Sequence, residues 1–197
     1  MKLYMIRHGE SETNVLKCFT GWLDAPLTKK GEADAELVRP FLSKIHFDKI
    51  FSSDLIRAKT TAQIALPGCE PEYTPLLREI DAGTFAGKPL STPMPEGWDL
   101  FRDGYSCFGG ESRQAVFDRA KEFLSEISKL DCDTVAAFSH SGFIKSTASV
   151  VLGFSKAGEH IPLGQFVCNN CAIAIFEYKN DVWKLYGWLN TDDASRA

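Results

Sequence analysis

Apolar and polar positions along the chain follow two alternating rhythms. Leu3 to Ile6 is a compact apolar run without helical period, which predicts a strand over 2–6 that delivers Arg7 and His8 to its C-terminal end. Over 28–44 the period lengthens: Leu37, Phe41 and Ile45 recur every fourth residue and predict a helix, with Pro40 expected to kink it. Residues 49–51 read as a short strand. Asp54 is a suitable N-cap for a helix that Pro67 and Gly68 stop after Leu66, which places Arg57 in its first turn.

A polar loop region over 83–110 precedes a second long helix over 112–130, marked by Phe117, Ala120, Leu124 and Ile127 on one face. Residues 134–138 form another apolar strand, which ends at Ser139-His140-Ser141-Gly142 and leads into a helix reaching Leu152. Residues 172–178 and 182–189, joined at Asn180-Asp181, predict a β-hairpin. Strands alternating with helices and closed by a hairpin predict an α/β fold, a three-layer α/β/α sandwich whose mainly parallel sheet has an antiparallel edge. No repeat, low-complexity tract or linker interrupts the 197 residues, so one domain over 1–197 is expected.

Charge narrows the partners. The formal net charge of −4 leaves no broad basic surface, so neither nucleic acid nor an anionic membrane is expected to bind. A phosphorylated substrate would have to be met by Arg side chains and backbone N–H groups concentrated in one pocket. The chain reaches Arg7-His8 with no room for a signal peptide, and it contains no apolar run of about 18 residues. Its cysteines are too scattered for a disulfide-stapled secreted domain, which points to reduced thiols and a cytoplasmic location.

Open α/β sheets collect ligands beyond the carboxyl ends of their strands, where His8 and His140 both fall. Arg7 adjoins His8, Arg57 follows Ser52-Ser53-Asp54, and Glu79 lies in Arg78-Glu79-Ile80-Asp81-Ala82-Gly83. Arg7-His8-Gly9-Glu10 with Asn14, the block 19–28 with Gly31, Gly109-Gly110-Glu111-Ser112 and Phe138-Ser139-His140-Ser141-Gly142 complete an ordered series over nearly the whole chain. In that register the sequence resembles the histidine phosphatase superfamily, the phosphoglycerate mutase-like group. The resemblance implies a phosphoric monoester hydrolase of the histidine acid phosphatase type that uses no metal and no cofactor and acts on a small phosphorylated metabolite. It makes His8 the nucleophile and Glu79, at the family's E-x-x-x-G position, the proton donor. Asn14, Thr20, Gly21 and Ser141 are carried over as substrate contacts.

The chemistry has reasons of its own. A neutral imidazole can attack phosphorus and divide one hard displacement into two easier ones. Cations at Arg7 and Arg57 favour that neutral form and can clamp the equatorial phosphoryl oxygens, with His140 expected to donate a further hydrogen bond. A phosphate dianion beside a carboxyl favours its protonated form, which suits a group that must protonate an alkoxide. The alternative reading of Glu79 is a surface carboxylate paired with Arg78. Glu10 is expected to brace its loop, and His46 and His160 match no motif.

Competing motifs fall short. Gly83-Thr84-Phe85-Ala86-Gly87-Lys88 has too few residues between its glycines for a nucleotide-binding P-loop, and Pro89 replaces the required hydroxyl residue. Cys168-Asn169-Asn170-Cys171 has no second pair to complete a zinc site and reads as buried free thiols. Ser139-His140-Ser141-Gly142 lacks the glycines of a nucleophile elbow.

Phosphatase is favoured over phosphoglycerate mutase because the segment 83–110 is short and carries only Lys88 and Arg102 as cations, too few to retain a bisphosphorylated cofactor. Ala86 stands where many phosphatases of the family have an acid. Lys88, Arg102 and Arg113 are candidates for reading a second charge on the substrate, but are taken as ordinary exposed cations. A non-catalytic protein that binds phosphorylated ligands is the remaining alternative. The ester is left open among sugar phosphates, α-ribazole phosphate and phosphoglycerates, as is a homo-oligomer.

Overall fold

The computed structural model describes residues 1–154 and 165–191, so His160 lies outside the described residues. Its strands are β1 (Lys2–Arg7), β2 (Lys49–Ser52), β3 (Glu72–Tyr73), β4 (Thr134–Ser139), β5 (Ile173–Lys179) and β6 (Val182–Leu189), in the sheet order β3-β2-β4-β1-β5-β6. The first four in that order run parallel, and β5 and β6 add the antiparallel edge. The helices are α1 (Glu12–Val15), α2 (Lys29–Leu42), α3 (Ile56–Ala65), α4 (Leu100–Asp103), α5 (Arg113–Ile127) and α6 (Ser141–Val151). The expected three-layer α/β/α sandwich is the observed fold.

Strand alternation builds the layers. Leu3 and Met5 of β1 join Val135 and Ala137 of β4 in a core with Val116, Ala120 and Phe123 of α5 and Phe143 and Ile144 of α6. Tyr4, Ile6, Ala136 and Phe138 point the other way, toward Ala35, Val38 and Leu42 of α2 and Ala62 and Ala65 of α3. With both faces covered, the central strands read as continuous apolar runs, which is why sequence alone locates them. The hairpin turn is legible for a related reason. Asn180 and Asp181 adopt φ of 52° and 59°, the left-handed pair that a two-residue turn requires.

Two sequence expectations are corrected. The buried face of α2 is Gly31, Asp34, Ala35, Val38 and Leu42, whereas Leu37 is exposed. Spacing by fours over 37–45 therefore marks the flank of the helix, and Phe41 and Ile45 pack only partly against the core. Nor does Asp54 cap α3, whose N-cap is Leu55. Asp54 is drawn away by Arg78, whose Nε donates to its carboxylate at 2.7 Å. Asp24, distant in sequence, instead accepts from the Ile56 N–H at 2.6 Å and satisfies a free donor of the first turn. Among the described residues no helix is long and apolar enough to cross a membrane.

Substitution tests the reassigned face of α2. Leu42→Ala should cost about 2–5 kcal/mol in denaturant unfolding, while Leu37→Ala stays within about 0.5 kcal/mol of the parent. Equal losses would restore the four-residue face.

Candidate active site

Strand register brings the site together. Arg7 of β1 pairs with Ser139 of β4, and the His8 N–H continues the ladder to the Ser139 carbonyl at 3.0 Å. The residues that follow each strand, His8 and His140, therefore stand side by side, with ring centroids 5.1 Å apart. On the other flank of β4, β2 leads to Ser53, and α3 brings in Arg57.

His8 is buried, and its Nδ1 lies 2.7 Å from the Gly9 carbonyl oxygen. A carbonyl can only accept, so Nδ1 carries the proton and Nε2 keeps its lone pair. Burial, Arg57 and Arg7 together hold the imidazole well below the ordinary histidine value of 6.5, with the Gly9 hydrogen bond opposing them.

Arg57 has no exposed surface. Its Nη1 donates to the Leu23 carbonyl at 2.8 Å, its Nη2 to the Gly21 carbonyl at 2.9 Å and its Nε to His140 Nδ1 at 3.1 Å. One N–H on each terminal nitrogen is thus left for a ligand. Burial lowers its pKa to about 10, with Glu79 and Asp24 opposing, so the guanidinium stays charged at neutral pH. The carbonyl that Gly21 offers depends on a backbone φ of 51°, and a side chain there would meet Ala82 at 2.7 Å. Gly21 therefore holds the Arg57 guanidinium through its carbonyl.

His140 accepts from Arg57 at Nδ1, so its proton sits on Nε2, 2.9 Å from Ser53 Oγ. Both ring nitrogens are engaged within the protein, an arrangement in which His140 braces Arg57; donating to a phosphoryl oxygen would require giving up one of these partners. Burial, followed by Arg57, His8, Arg7 and Arg119, keeps this ring neutral as well. Arg7 Nη1 donates to the Cys168 carbonyl at 2.6 Å, and its buried Nε has no partner among the described residues.

Glu79 is not paired with Arg78, which is committed to Asp54. Its carboxylate accepts from the Ile80 N–H and from the Gly142 N–H, both at 3.0 Å. The second contact explains Gly142: a Cβ at that position would lie 2.3 Å from Glu79 Oε1. Glu10 does brace its loop, accepting from Thr28 Oγ at 2.9 Å. Asn14 Oδ1 accepts from the Ser11 N–H and from Asn170 Nδ2, and Thr20 Oγ donates to Thr13 Oγ at 2.8 Å. Ser141 opens α6 beside His140.

Several supports had no local sequence signal. Arg119 donates to the carbonyls of Leu76, Arg78 and Glu79 while its guanidinium is paired with Glu111 at 2.8 Å, which fixes the loop that carries Glu79. Trp22 Nε1 also donates to the Glu79 carbonyl, at 2.7 Å. Thr61 Oγ accepts from the Gly9 N–H at 3.0 Å and donates to the Arg57 carbonyl at 2.7 Å. Of the three cations taken as exposed, Lys88 is exposed and Arg102 is paired with Asp103, but Arg113 is buried. Among the described residues, no group of three His, Cys, Asp or Glu side chains is placed to hold a metal ion.

The family model described as Histidine phosphatase superfamily (branch 1) matches residues 3–191. A protein of Salmonella paratyphi A named "Probable phosphoglycerate mutase GpmB" is 31% identical over 199 residues, covering 96% of this chain and 90% of its own. Among solved structures, phosphoserine phosphatase of Entamoeba histolytica in complex with 3-phosphoglyceric acid superimposes with a TM-score of 0.83 at 26% identity, over 98% of both chains. A mutant of that enzyme in complex with phosphoserine is similar at 25% identity and a TM-score of 0.83, again over 98% of both chains.

The two buried imidazoles set a pH dependence. Both are neutral when folded and free to charge when unfolded, so the unfolded chain binds more protons below pH 6.5 and stability is lost as pH falls from that value toward the lower folded ones. Ring resonances of His8 and His140, assigned with His8→Ala and His140→Ala, should show no protonation midpoint near 6.5. A midpoint there for either ring would contradict the arrangement.

Proposed function

Because this chain belongs to the histidine phosphatase superfamily (branch 1), we infer that its site hydrolyses a small phosphoric monoester without a metal, through a phosphohistidine formed on His8. The observation that carries this reading is the 2.7 Å hydrogen bond from His8 Nδ1 to the Gly9 carbonyl, which leaves the Nε2 lone pair as nucleophile. Nε2 attacks phosphorus, an N–P bond forms and the P–O ester bond breaks, its electron pair leaving with the alcohol oxygen. Arg7 and the two remaining N–H groups of Arg57 hold the equatorial oxygens, and His140 keeps Arg57 in place. Glu79 gives its proton to the departing oxygen.

In the second half, Glu79 takes a proton from water, the oxygen attacks phosphorus, and the N–P electron pair returns to Nε2. Inorganic phosphate leaves and the protonated acid is restored. The Gly9 carbonyl supports both halves, since it accepts from Nδ1–H while the ring carries the extra charge of the intermediate. Asn14, Thr20 and Ser141 line the approach to this centre as substrate contacts. The cytoplasm remains the location proposed for the enzyme.

A second reading, phosphoglycerate mutase, is favoured by the name of the Salmonella relative at 31% identity. It shares the first half-reaction and differs in what receives the phosphoryl group. The short 83–110 segment supports water as that acceptor, because Arg102 is neutralised by Asp103 at 2.6 Å and Lys88 lies over the Phe85 ring.

Turnover of p-nitrophenyl phosphate and 3-phosphoglycerate with EDTA present separates these readings. The parent should release phosphate from both, and His8→Ala should lose at least ~10³-fold. Activity surviving in that variant sinks the mechanism, and phosphoryl exchange dependent on bisphosphoglycerate, without phosphate release, selects the mutase. Glu79→Gln should lower kcat/KM for 3-phosphoglycerate by ~10²–10⁴-fold, and much less for p-nitrophenyl phosphate, whose leaving group needs no proton. Equal losses on the two esters would remove Glu79 as the acid.

A further inference from the structure

One short stretch of chain touches both halves of the site. Gly21 and Leu23 give their carbonyls to Arg57, at 2.9 Å and 2.8 Å, and so fix the guanidinium assigned above to the phosphoryl oxygens. The residue between them reaches the acid instead: the Trp22 indole Nε1 donates to the Glu79 carbonyl at 2.7 Å. Asp24 follows and accepts from the Ile56 N–H at 2.6 Å, which anchors the stretch to the start of α3, the helix that carries Arg57.

The indole is held in the orientation this bond needs. The Arg78 guanidinium lies 4.7 Å from the centre of the Trp22 ring, and Arg78 is itself tied to Asp54 at 2.7 Å, so the residue before the acid fixes the ring face while the acid's own carbonyl receives its N–H. That carbonyl accepts a second time, from Arg119 Nη2 at 3.2 Å, and both of its lone pairs are then used. At the other end of the same residue the carboxylate takes the N–H groups of Ile80 and Gly142. The two loops meet closely because Gly21 has no side chain; a Cβ there would lie 2.7 Å from that of Ala82.

Proton transfer to a leaving group requires hydrogen-bond reach, and a misplacement of about 1 Å can cost ~10²-fold in rate. In the proposed mechanism Arg57 locates the phosphoryl group and Glu79 supplies the proton, yet the two side chains stand on different segments. Something has to hold one against the other. The contacts through residues 21–24 do so with backbone carbonyls and an indole N–H at the site itself, which transmit position without adding charge and leave the carboxyl able to carry its proton. We propose that Trp22 is a positioning residue, whose N–H sets Glu79 against the leaving oxygen of a phosphoryl group held by Arg57. This rests on the phosphatase reading and on Glu79 as its acid.

Trp22→Phe removes the N–H and keeps an aromatic face for Arg78, and because Trp22 is 38% exposed the smaller ring opens no cavity in the core. Phenyl phosphate and p-nitrophenyl phosphate differ little in size, but phenolate leaves far less readily than nitrophenolate and depends on the proton. For the variant, kcat/KM on phenyl phosphate should fall ~10-fold, while kcat/KM on p-nitrophenyl phosphate and the inhibition constant of inorganic phosphate stay within ~2-fold of the parent, since Arg57 keeps its partners. Equal losses on the two esters, phosphate inhibition weakened in step with them, or a variant indistinguishable from the parent would each overturn the proposal. Glu79→Gln on the same pair of esters keeps the two failures apart. Equal losses there remove the acid on which the proposal rests, whereas a loss confined to phenyl phosphate in Glu79→Gln and absent in Trp22→Phe refutes the role of Trp22 alone.

Discussion

A guanidinium with no exposed surface has to find partners for its N–H groups inside the protein, because a buried charge left unbonded costs several kcal/mol. Arg57 finds them on three separate pieces of chain: the carbonyls of Gly21 and Leu23, and Nδ1 of His140. Its own carbonyl accepts from Thr61, which also receives the Gly9 N–H behind His8. One residue consequently ties the loop before α2, the start of α3, the end of β4 and the turn after β1. Its hydrogen-bond partners carry no formal negative charge, so the cation's field is directed into the pocket instead of being cancelled at its source.

That field accounts for much of the site's behaviour. With burial, the larger cause, it withholds the proton from His8 and His140. Glu79 sits on an independent support, the Gly142 N–H in front and the Arg119–Glu111 pair behind, so its carboxylate is positioned without being paired to Arg7 or Arg57. Keeping the two systems separate matters, since a carboxylate bonded directly to Arg57 or Arg7 would hold its negative charge too firmly to carry a proton.

The strands and the candidate residues at their ends were legible because both signals are local. An apolar run followed at once by Arg-His or Ser-His announces a strand end and its chemistry together, and Arg7, His8, Arg57, Glu79 and His140 do converge. What escaped was decided by contacts between distant segments. Asp54 has the composition of a cap but pairs with Arg78, and the vacated role falls to Asp24, 32 residues away in sequence. Leu37 fits a spacing that the burial of Ala35 and Val38 overrides. Arg113 looks like any helix-surface cation, and nothing in its neighbours announces that α4 and α6 will enclose it.

The position of β1 has a consequence for how the protein is born. β1 precedes the other strands of its sheet in sequence yet lies in the interior, between β4 and β5, and Arg7 leans on the carbonyl of Cys168, 161 residues later. Both lateral edges and both apolar faces of β1 therefore wait for chain that has yet to be made, and at translation speeds of about 5–20 residues per second that wait lasts roughly ten seconds or more. The nascent chain must hold an unpaired apolar strand until β4 and β5 have followed, a period in which holding chaperones have an obvious target. Arg7 and His8 acquire their final setting only once the chain has been made as far as Cys168.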